Sequence, residues 1–382
     1  MKPIMMTQLS LKNFKSHKNT RLSLSNLNIL AGNNGVGKSS VLQGLLLLRQ
    51  SYFKNNLLGS GLDLNGFLCD IGVAFDAIYQ YATNGFIELA FSTAQKNYRW
   101  QFEYQEPTAT FMHRLNQPES IDDISLFGNH FQYLSAARLA PQKSYLKDTY
   151  QVEVLRQISY QKGSGEFVAH FLQHYAHEKI AFPNLKHPLS ESEALLEQTN
   201  IWLREIIPHV KVIVRENQGL NAFEIRYQFI SAQPDILSTN EFKAENVGFG
   251  ISYTLPIIVA ILSAKPDSLI MIENPESHLH PKSQSKLAKF IALAAQNGIQ
   301  IFLETHSDHI INGTLVAVKS YETEKHQGIA HDKVRIHYFY SEDTQHTTEV
   351  INVPVLEGGR ITNPPLGFFD QIETDLETLM GF

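Results

Sequence analysis

Gly32-Asn33-Asn34-Gly35-Val36-Gly37-Lys38-Ser39 follows an apolar stretch containing Leu27, Ile29, Leu30 and Ala31. It precedes a segment in which Val41, Leu42, Leu45 and Leu46 recur at helical spacing. Strand, glycine-rich loop and helix is the setting that the G-x-x-x-x-G-K-[ST] pattern requires. In that setting the glycines let backbone N–H groups wrap a β-phosphate at a helix N-terminus. Lys38 reaches the β/γ oxygens, and the Ser39 hydroxyl is placed to ligate Mg²⁺. The expected nucleotide contacts are Asn33, Asn34, Gly35, Val36, Gly37, Lys38, Ser39 and Ser40, with ATP and Mg²⁺ as the cofactors.

A second signal lies far along the chain. Leu269-Ile270-Met271-Ile272-Glu273-Asn274-Pro275-Glu276 is an apolar strand ending in carboxylates, and Glu273 is the expected metal-side acid, acting through water. Lys38 and Glu273 are 235 residues apart (273 minus 38), so a large insertion separates the two halves of the site. Ile299 to Leu303 is another short apolar run, and Leu287, Phe290, Ile291 and Ala294 fall at i, i+3, i+4, i+7 between the two runs. That pattern predicts a β-α-β unit with buried parallel strands. Thr7 to Phe14, Phe86 to Phe91 and Tyr98 to Tyr104 alternate, which predicts an antiparallel side sheet. From 150 to 208 the period turns helical. Ser190 and Glu193 spell a capping box, and Leu195, Trp202, Leu203 and Ile206 share a face before Pro208.

The 382 residues carry 43% hydrophobic and 18% charged side chains, enough for a substantial core and outside the range of disordered or collagen-like chains. A net charge of -6 excludes a global basic field, so any polyanion contact must be local. The single cysteine, Cys69, excludes an intramolecular disulfide framework and a multi-Cys zinc site. Met1 to Asn13 lacks a secretory pattern. The longest apolar stretch, Ile251 to Ala264, contains Pro256 and falls short of the roughly 20 residues a bilayer requires. The expectation is a cytoplasmic protein.

The P-loop, Asn246-Val247-Gly248-Phe249-Gly250-Ile251-Ser252, the Glu273 block, Ser277-His278-Leu279-His280-Pro281 and Glu304-Thr305-His306-Ser307 occur in an order that resembles the ABC-type ATPase head of SMC, RecF and OLD-like proteins. More narrowly, Ile272 to Pro281, Glu304 to Gly313 and the tail Pro365 to Gln371 resemble stand-alone bacterial AAA ATPases that end in a small domain of unknown function. The Septu anti-phage ATPase subunit PtuA is a related type. The resemblance implies an α/β P-loop NTPase with a mixed sheet, an antiparallel side sheet and a helical insertion. The units would be 1–149 (P-loop part of the head), 150–208 (insertion), 209–334 (signature, metal-side carboxylate and switch histidine) and 335–382 (C-terminal strands and tail).

It also implies roles. Gly248, Gly250 and Ser252 would form the signature that closes over the γ-phosphate held by an opposite protomer, giving a homodimer or higher even oligomer. His306 would be the switch histidine, and Arg138 would face the nucleotide or the partner head. ABC heads place a second carboxylate after the metal-side acid, but here that position is Asn274, which cannot accept a proton. Either Glu276 polarises the water, making Glu276 and His306 the catalytic pair, or hydrolysis is slow and ATP acts mainly as glue between heads. With no nuclease motif of its own, the chain would govern a separate effector, likewise implied to be a nuclease. Direct nucleic-acid contact, a RecF-like repair ATPase and a non-hydrolysing scaffold remain open, and no membrane partner is expected.

Overall fold

The computed structural model describes residues 4–117, 120–121, 124–230, 238–324, 327–341, 346–365 and 367–381, with backbone alone at 371–373. Its centre is a six-stranded mixed sheet. Thr348–Val353, Val334–Ser341, Leu27–Gly32, Gln300–Thr305, Leu269–Glu273 and Phe131–Leu134 lie side by side in that order. All neighbours run parallel except the antiparallel edge pair Val334–Ser341 and Thr348–Val353. The strand Gln300–Thr305 therefore separates the P-loop strand from the strand that ends in Glu273.

Alternation along these strands divides the core between two faces. Ile270, Ile272, Ile301 and Leu303 point to one face, against the helices Phe249–Leu262, Pro281–Gln296 and Asp308–Thr323. Leu269, Met271 and Phe302 point to the other, against the helix Lys38–Phe53. Over that helix lies the antiparallel side sheet, in the order His17–Ser23, Met6–Phe14, Phe86–Thr93, Asn97–Glu103. The helix Lys38–Phe53 is buried nearly all round, as a helix between two sheets must be, and its buried set includes Lys38, Arg49 and Gln50 beside the leucines.

The segment 150–208 is helical only in part. A π-turn at Tyr150–Val154 precedes the helices Val168–His174 and Leu195–Ile206, and their buried residues merge with the head core around Ile257 and Ile261. The expected Ser190 cap is not used: the helix starts at Leu195 behind Ala194, whose N–H donates to the Ser192 hydroxyl. The extra turn of chain lets Gln198 donate to the Ser192 carbonyl and accept from the His187 N–H. The expected boundary at 334/335 falls on the first residues of Val334–Ser341, which joins the main sheet together with Thr348–Val353. The signature helix begins at Phe249, two residues before the apolar run that announces it, and carries Pro256 inside.

Candidate active site

The loop Asn33–Gly37 leaves the P-loop strand and turns into the helix starting at Lys38. Gly37, at φ 100°, holds a left-handed conformation that costs an L side chain about 1–2 kcal/mol. A Cβ there would lie 2.4 Å from Thr348 Oγ1 and 2.8 Å from Ser16 Oγ. These two hydroxyls belong to a clamp behind the loop. Thr348 Oγ1 donates to the Val36 carbonyl (2.9 Å), Ser16 and Thr348 share a 2.6 Å hydrogen bond, and His17 Nε2 meets the Gly37 carbonyl at 3.0 Å. His17 is fully buried, and burial drives its pKa down to about 4, so it is neutral here.

The Lys38 ammonium donates to the carbonyls of Gly32 (2.8 Å) and Asn33 (2.5 Å), which arch it over the loop where phosphate oxygens would lie. Burial lowers its pKa, opposed by the charges of Glu304 and Glu276. The Ser39 hydroxyl donates to Glu304 Oε1 at 2.7 Å. Glu304 is 5% exposed, and its Oε2 is buried without a hydrogen-bond partner. Burial, then the neighbouring Glu273 charge, raises its pKa to about 7. Glu273 is turned toward the sheet edge: its Oε1 accepts from Tyr133 Oη (2.9 Å) and its Oε2 from the Ala136 N–H (3.0 Å). His306 lies at the next strand end, and burial followed by the Lys38 charge depresses its pKa, favouring the neutral ring.

These groups border one cleft of about 1090 Å³, lined by Lys38, Ser39, Glu273, Asn274, Glu304 and His306. The cleft is also lined by Lys15, in the turn after Met6–Phe14, and by Phe75, Asp76 and Tyr79, in the segment before Phe86–Thr93. Lys15 donates to Gln43 Oε1 at 2.8 Å, and Phe75 is 67% exposed. A cleft of this size can hold a nucleotide, and its lining includes an apolar ring, Phe75, as well as the phosphate loop.

Two expected site residues stand elsewhere. Glu276 does not border the cleft. The left-handed backbone at Asn274 (φ 44°) folds the chain back, so that Glu276 accepts from Thr305 Oγ1 (2.9 Å) and the His306 N–H (2.8 Å). It braces the turn that carries His306. Arg138 is 2% exposed, and its guanidinium donates to the carbonyls of Ser135, Glu273 and Asn274 at 2.6–2.8 Å. Burial lowers its pKa to about 10, still charged at neutrality, and its role is to tie the strand ends Phe131–Leu134 and Leu269–Glu273 together.

The signature is divided. Gly248 and Phe249 are exposed at the helix start, but Ser252 is turned inward beside Tyr145 and Tyr227. Gly250 packs on the next loop, where a Cβ would come 2.5 Å from the His278 carbonyl. The His278 ring lies 5.4 Å from that of Phe249, so signature and histidine loop present one surface. His280 caps the helix Pro281–Gln296 by accepting from the Lys282 N–H.

Glu304, Lys15 and the Ser16–His17–Thr348 clamp were not singled out from the sequence. Glu304 carried a usable signal: a carboxylate at the end of an otherwise apolar strand, two residues before His306. Another grouping with metal-like spacing, Glu153, His170 and His174, lies outside the cleft. His170 Nδ1 accepts from the Asp148 N–H, which leaves the ring proton on Nε2 as a donor to Glu153 rather than a lone pair for a metal.

A mixed sheet with a phosphate loop, an intervening strand and acidic strand ends is a P-loop fold similar to that of SMC heads. An SMC head bound to the C-terminal winged-helix domain of ScpA superposes with a TM-score of 0.55 at 13% identity, over 92% of this chain and 98% of that one. The SMC head domain with an extended coiled coil bound to the C-terminal domain of ScpA, from Pyrococcus furiosus, gives 0.54 at 12% identity, over 98% and 99%. Residues 27–312 match the AAA domain family described as "AAA domain, putative AbiEii toxin, Type IV TA system", and the chain belongs to that family. Residues 329–379 match a family described as a protein of unknown function, DUF3696. No curated protein matches the sequence. Among the described residues, no helix is long and apolar enough to cross a membrane.

Proposed function

We propose that this chain is an ATP-binding head that dimerises around nucleotide, turns ATP over slowly and thereby governs a separate effector, a nuclease, in bacterial anti-phage defence. The observation that carries the nucleotide reading is the convergence of Lys38, Ser39, Glu304 and His306 on one cleft behind the glycine loop. The donor set fits Mg²⁺, a hard cation that takes oxygen ligands: a hydroxyl and acidic strand ends stand beside the lysine. When bound, Mg²⁺ would neutralise phosphate charge, held by Ser39 with Glu273 and Glu304. Lys38 would position the β/γ oxygens. The neutral His306 ring would hydrogen-bond the γ-phosphate or the attacking water.

Slow turnover is supported by two residues together. Asn274 stands where ABC heads carry the second carboxylate, and Glu276 bonds Thr305 and the His306 N–H outside the lining of the cleft. General-base positioning is worth about 10²- to 10⁴-fold, so its lack would convert a motor into a timer. The dimer reading is supported by the exposed surface of Gly248, Phe249 and His278. With Ser252 turned inward, backbone N–H groups at the helix start would meet the opposite γ-phosphate. A defence role accords with the printed family description, which names a toxin of a type IV TA system. The insertion and the exposed C-terminal helix are the surfaces left for an effector, being unneeded by the nucleotide site.

Size-exclusion chromatography with light scattering, in ATP and in ADP, tests the assembly. A dimer in ATP that Phe249→Asp abolishes supports it. A monomer in both nucleotides would refute it. Equal assembly in ATP and ADP would favour the structural scaffold, and DNA-stimulated phosphate release would favour a repair-type ATPase.

A further inference from the structure

Three consecutive residues from the far C-terminal part of the chain, His346, Thr347 and Thr348, reach the nucleotide cleft. His346 is exposed and lines the cleft directly. Thr347 Oγ1 shares a 2.7 Å hydrogen bond with Tyr79 Oη, and Tyr79 lines the cleft as well. Thr348 opens the edge strand Thr348–Val353 and is 4% exposed, packed behind the phosphate loop. Its N–H donates to the Ser16 carbonyl at 2.9 Å, which pins the strand to the turn between Met6–Phe14 and His17–Ser23.

The acceptors assign the side-chain protons. A carbonyl only accepts, so Thr348 Oγ1 gives its one proton to the Val36 carbonyl, and Ser16 Oγ then donates to Thr348 Oγ1. By the same reasoning His17 carries its proton on Nε2, facing the Gly37 carbonyl, while its Nδ1 accepts from Thr20 Oγ1 at 2.8 Å. Two successive carbonyls of the loop are thus held from behind. In a trans peptide the carbonyl and the following N–H point in opposite directions. Holding the Val36 and Gly37 carbonyls therefore aims the Gly37 and Lys38 N–H groups to the side that the clamp leaves open. Gly37 in left-handed backbone followed by helical Lys38 is the conformation in which successive N–H groups form an anion-binding concavity. The Lys38 N–H, at the start of its helix, has no intrahelical acceptor to draw it away.

Resting on the nucleotide reading above, we infer that residues 346–348 form a C-terminal finger of the nucleotide site, with Thr348 the positioning residue that sets the phosphate-facing amides. Nucleotide binding and docking of the edge strand are then linked, and the linkage is reciprocal. Whatever draws Thr348–Val353 off the sheet weakens nucleotide binding, and bound nucleotide holds that strand in place.

Calorimetric titration of ATP with Mg²⁺ into the full chain tests this for the wild type, Thr348→Val, Thr348→Ser and Val353→Ala, with thermal melts alongside. Thr348→Val replaces the hydroxyl by a methyl group and should weaken ATP binding by about tenfold or more. Thr348→Ser, which keeps the donor, should hold affinity within about threefold of wild type. Val353→Ala removes buried apolar bulk from the same strand, in the core away from the loop, and should lower the thermal midpoint while leaving ATP affinity unchanged. In the wild type, hydrogen exchange across 348–353 should slow by about tenfold or more at saturating ATP, a reading that needs no variant to fold. Wild-type affinity in Thr348→Val, an equal loss in Val353→Ala, or exchange that ATP leaves unaltered would overturn the inference while leaving the nucleotide reading intact. A wild-type chain that binds no ATP would overturn both.

Discussion

Replacing Glu276 by Gln separates a brace from a base. The carboxylate accepts two hydrogen bonds, from Thr305 Oγ1 at 2.9 Å and from the His306 N–H at 2.8 Å. A glutamine keeps one acceptor and points an NH₂ group at the other donor, so one charge-assisted bond is lost and a donor–donor contact appears. Such bonds contribute about 1.5–3 kcal/mol each. Burial already raises the Glu276 pKa, and the neutral amide avoids that cost, which offsets part of the loss. The expected net destabilisation is about 1–2 kcal/mol. Single-turnover phosphate release should fall by about tenfold or less, through displacement of the His306 turn, well short of the roughly 10²- to 10⁴-fold loss that follows removal of a general base. Urea unfolding and rapid-quench phosphate release on the same preparations give the two numbers. Unchanged stability together with a turnover loss above about 100-fold would refute the brace and restore Glu276 as the base.

Arg138→Met should cost about 3–5 kcal/mol in urea unfolding, because three carbonyls lose a buried charged donor; intact stability with lost ATP affinity would instead mark a nucleotide contact. Gly37→Ala should lower stability by about 2–4 kcal/mol and abolish ATP binding, since the left-handed backbone and the 2.4 Å approach to Thr348 both oppose a Cβ; calorimetric titration and thermal melts check both. His337, its ring buried against the Ser23 carbonyl, has a pKa driven by burial from 6.5 down to about 4. Between those values the unfolded chain takes up a proton that the folded chain does not. Stability therefore falls as pH drops through the window, by up to about 3 kcal/mol from this group, and levels off below pH 4. His337→Gln should flatten that part of the stability–pH curve, and an unchanged slope would show that the ring titrates normally.

The parts of this head that were legible in the sequence are those written in a local code. The glycine loop, the apolar run ending in Glu273 and the helical spacing of Leu287, Phe290, Ile291 and Ala294 each lie within a few residues, and each forms the element expected. What could not be read depends on register between distant strands. Glu304 meets Ser39 only because Gln300–Thr305 inserts beside the P-loop strand. Thr348 closes on Val36 only because an edge strand far along the chain joins the same sheet. Arg138 and Glu276 illustrate a further difficulty: a charged residue near a motif reads the same whether it faces the ligand or holds the backbone that presents it. Here carbonyls of two strand ends absorb the arginine, and the turn at Asn274 carries the glutamate under His306. Ser190 shows that a capping pattern competes with neighbouring alternatives, since Ala194 and Ser192 supply the start of that helix.

The central claim is that the cleft behind Gly32–Ser39 binds ATP through Lys38 with a divalent cation. Calorimetric titration of ATP into the full chain, with Mg²⁺ and with EDTA, beside Lys38→Ala, tests it most directly. The account predicts saturable binding that Mg²⁺ strengthens and that Lys38→Ala weakens by about 100-fold, the loss expected for a buried charged hydrogen bond worth close to 3 kcal/mol. Equal affinity in the two proteins, or no heat of binding in the wild type, would contradict it.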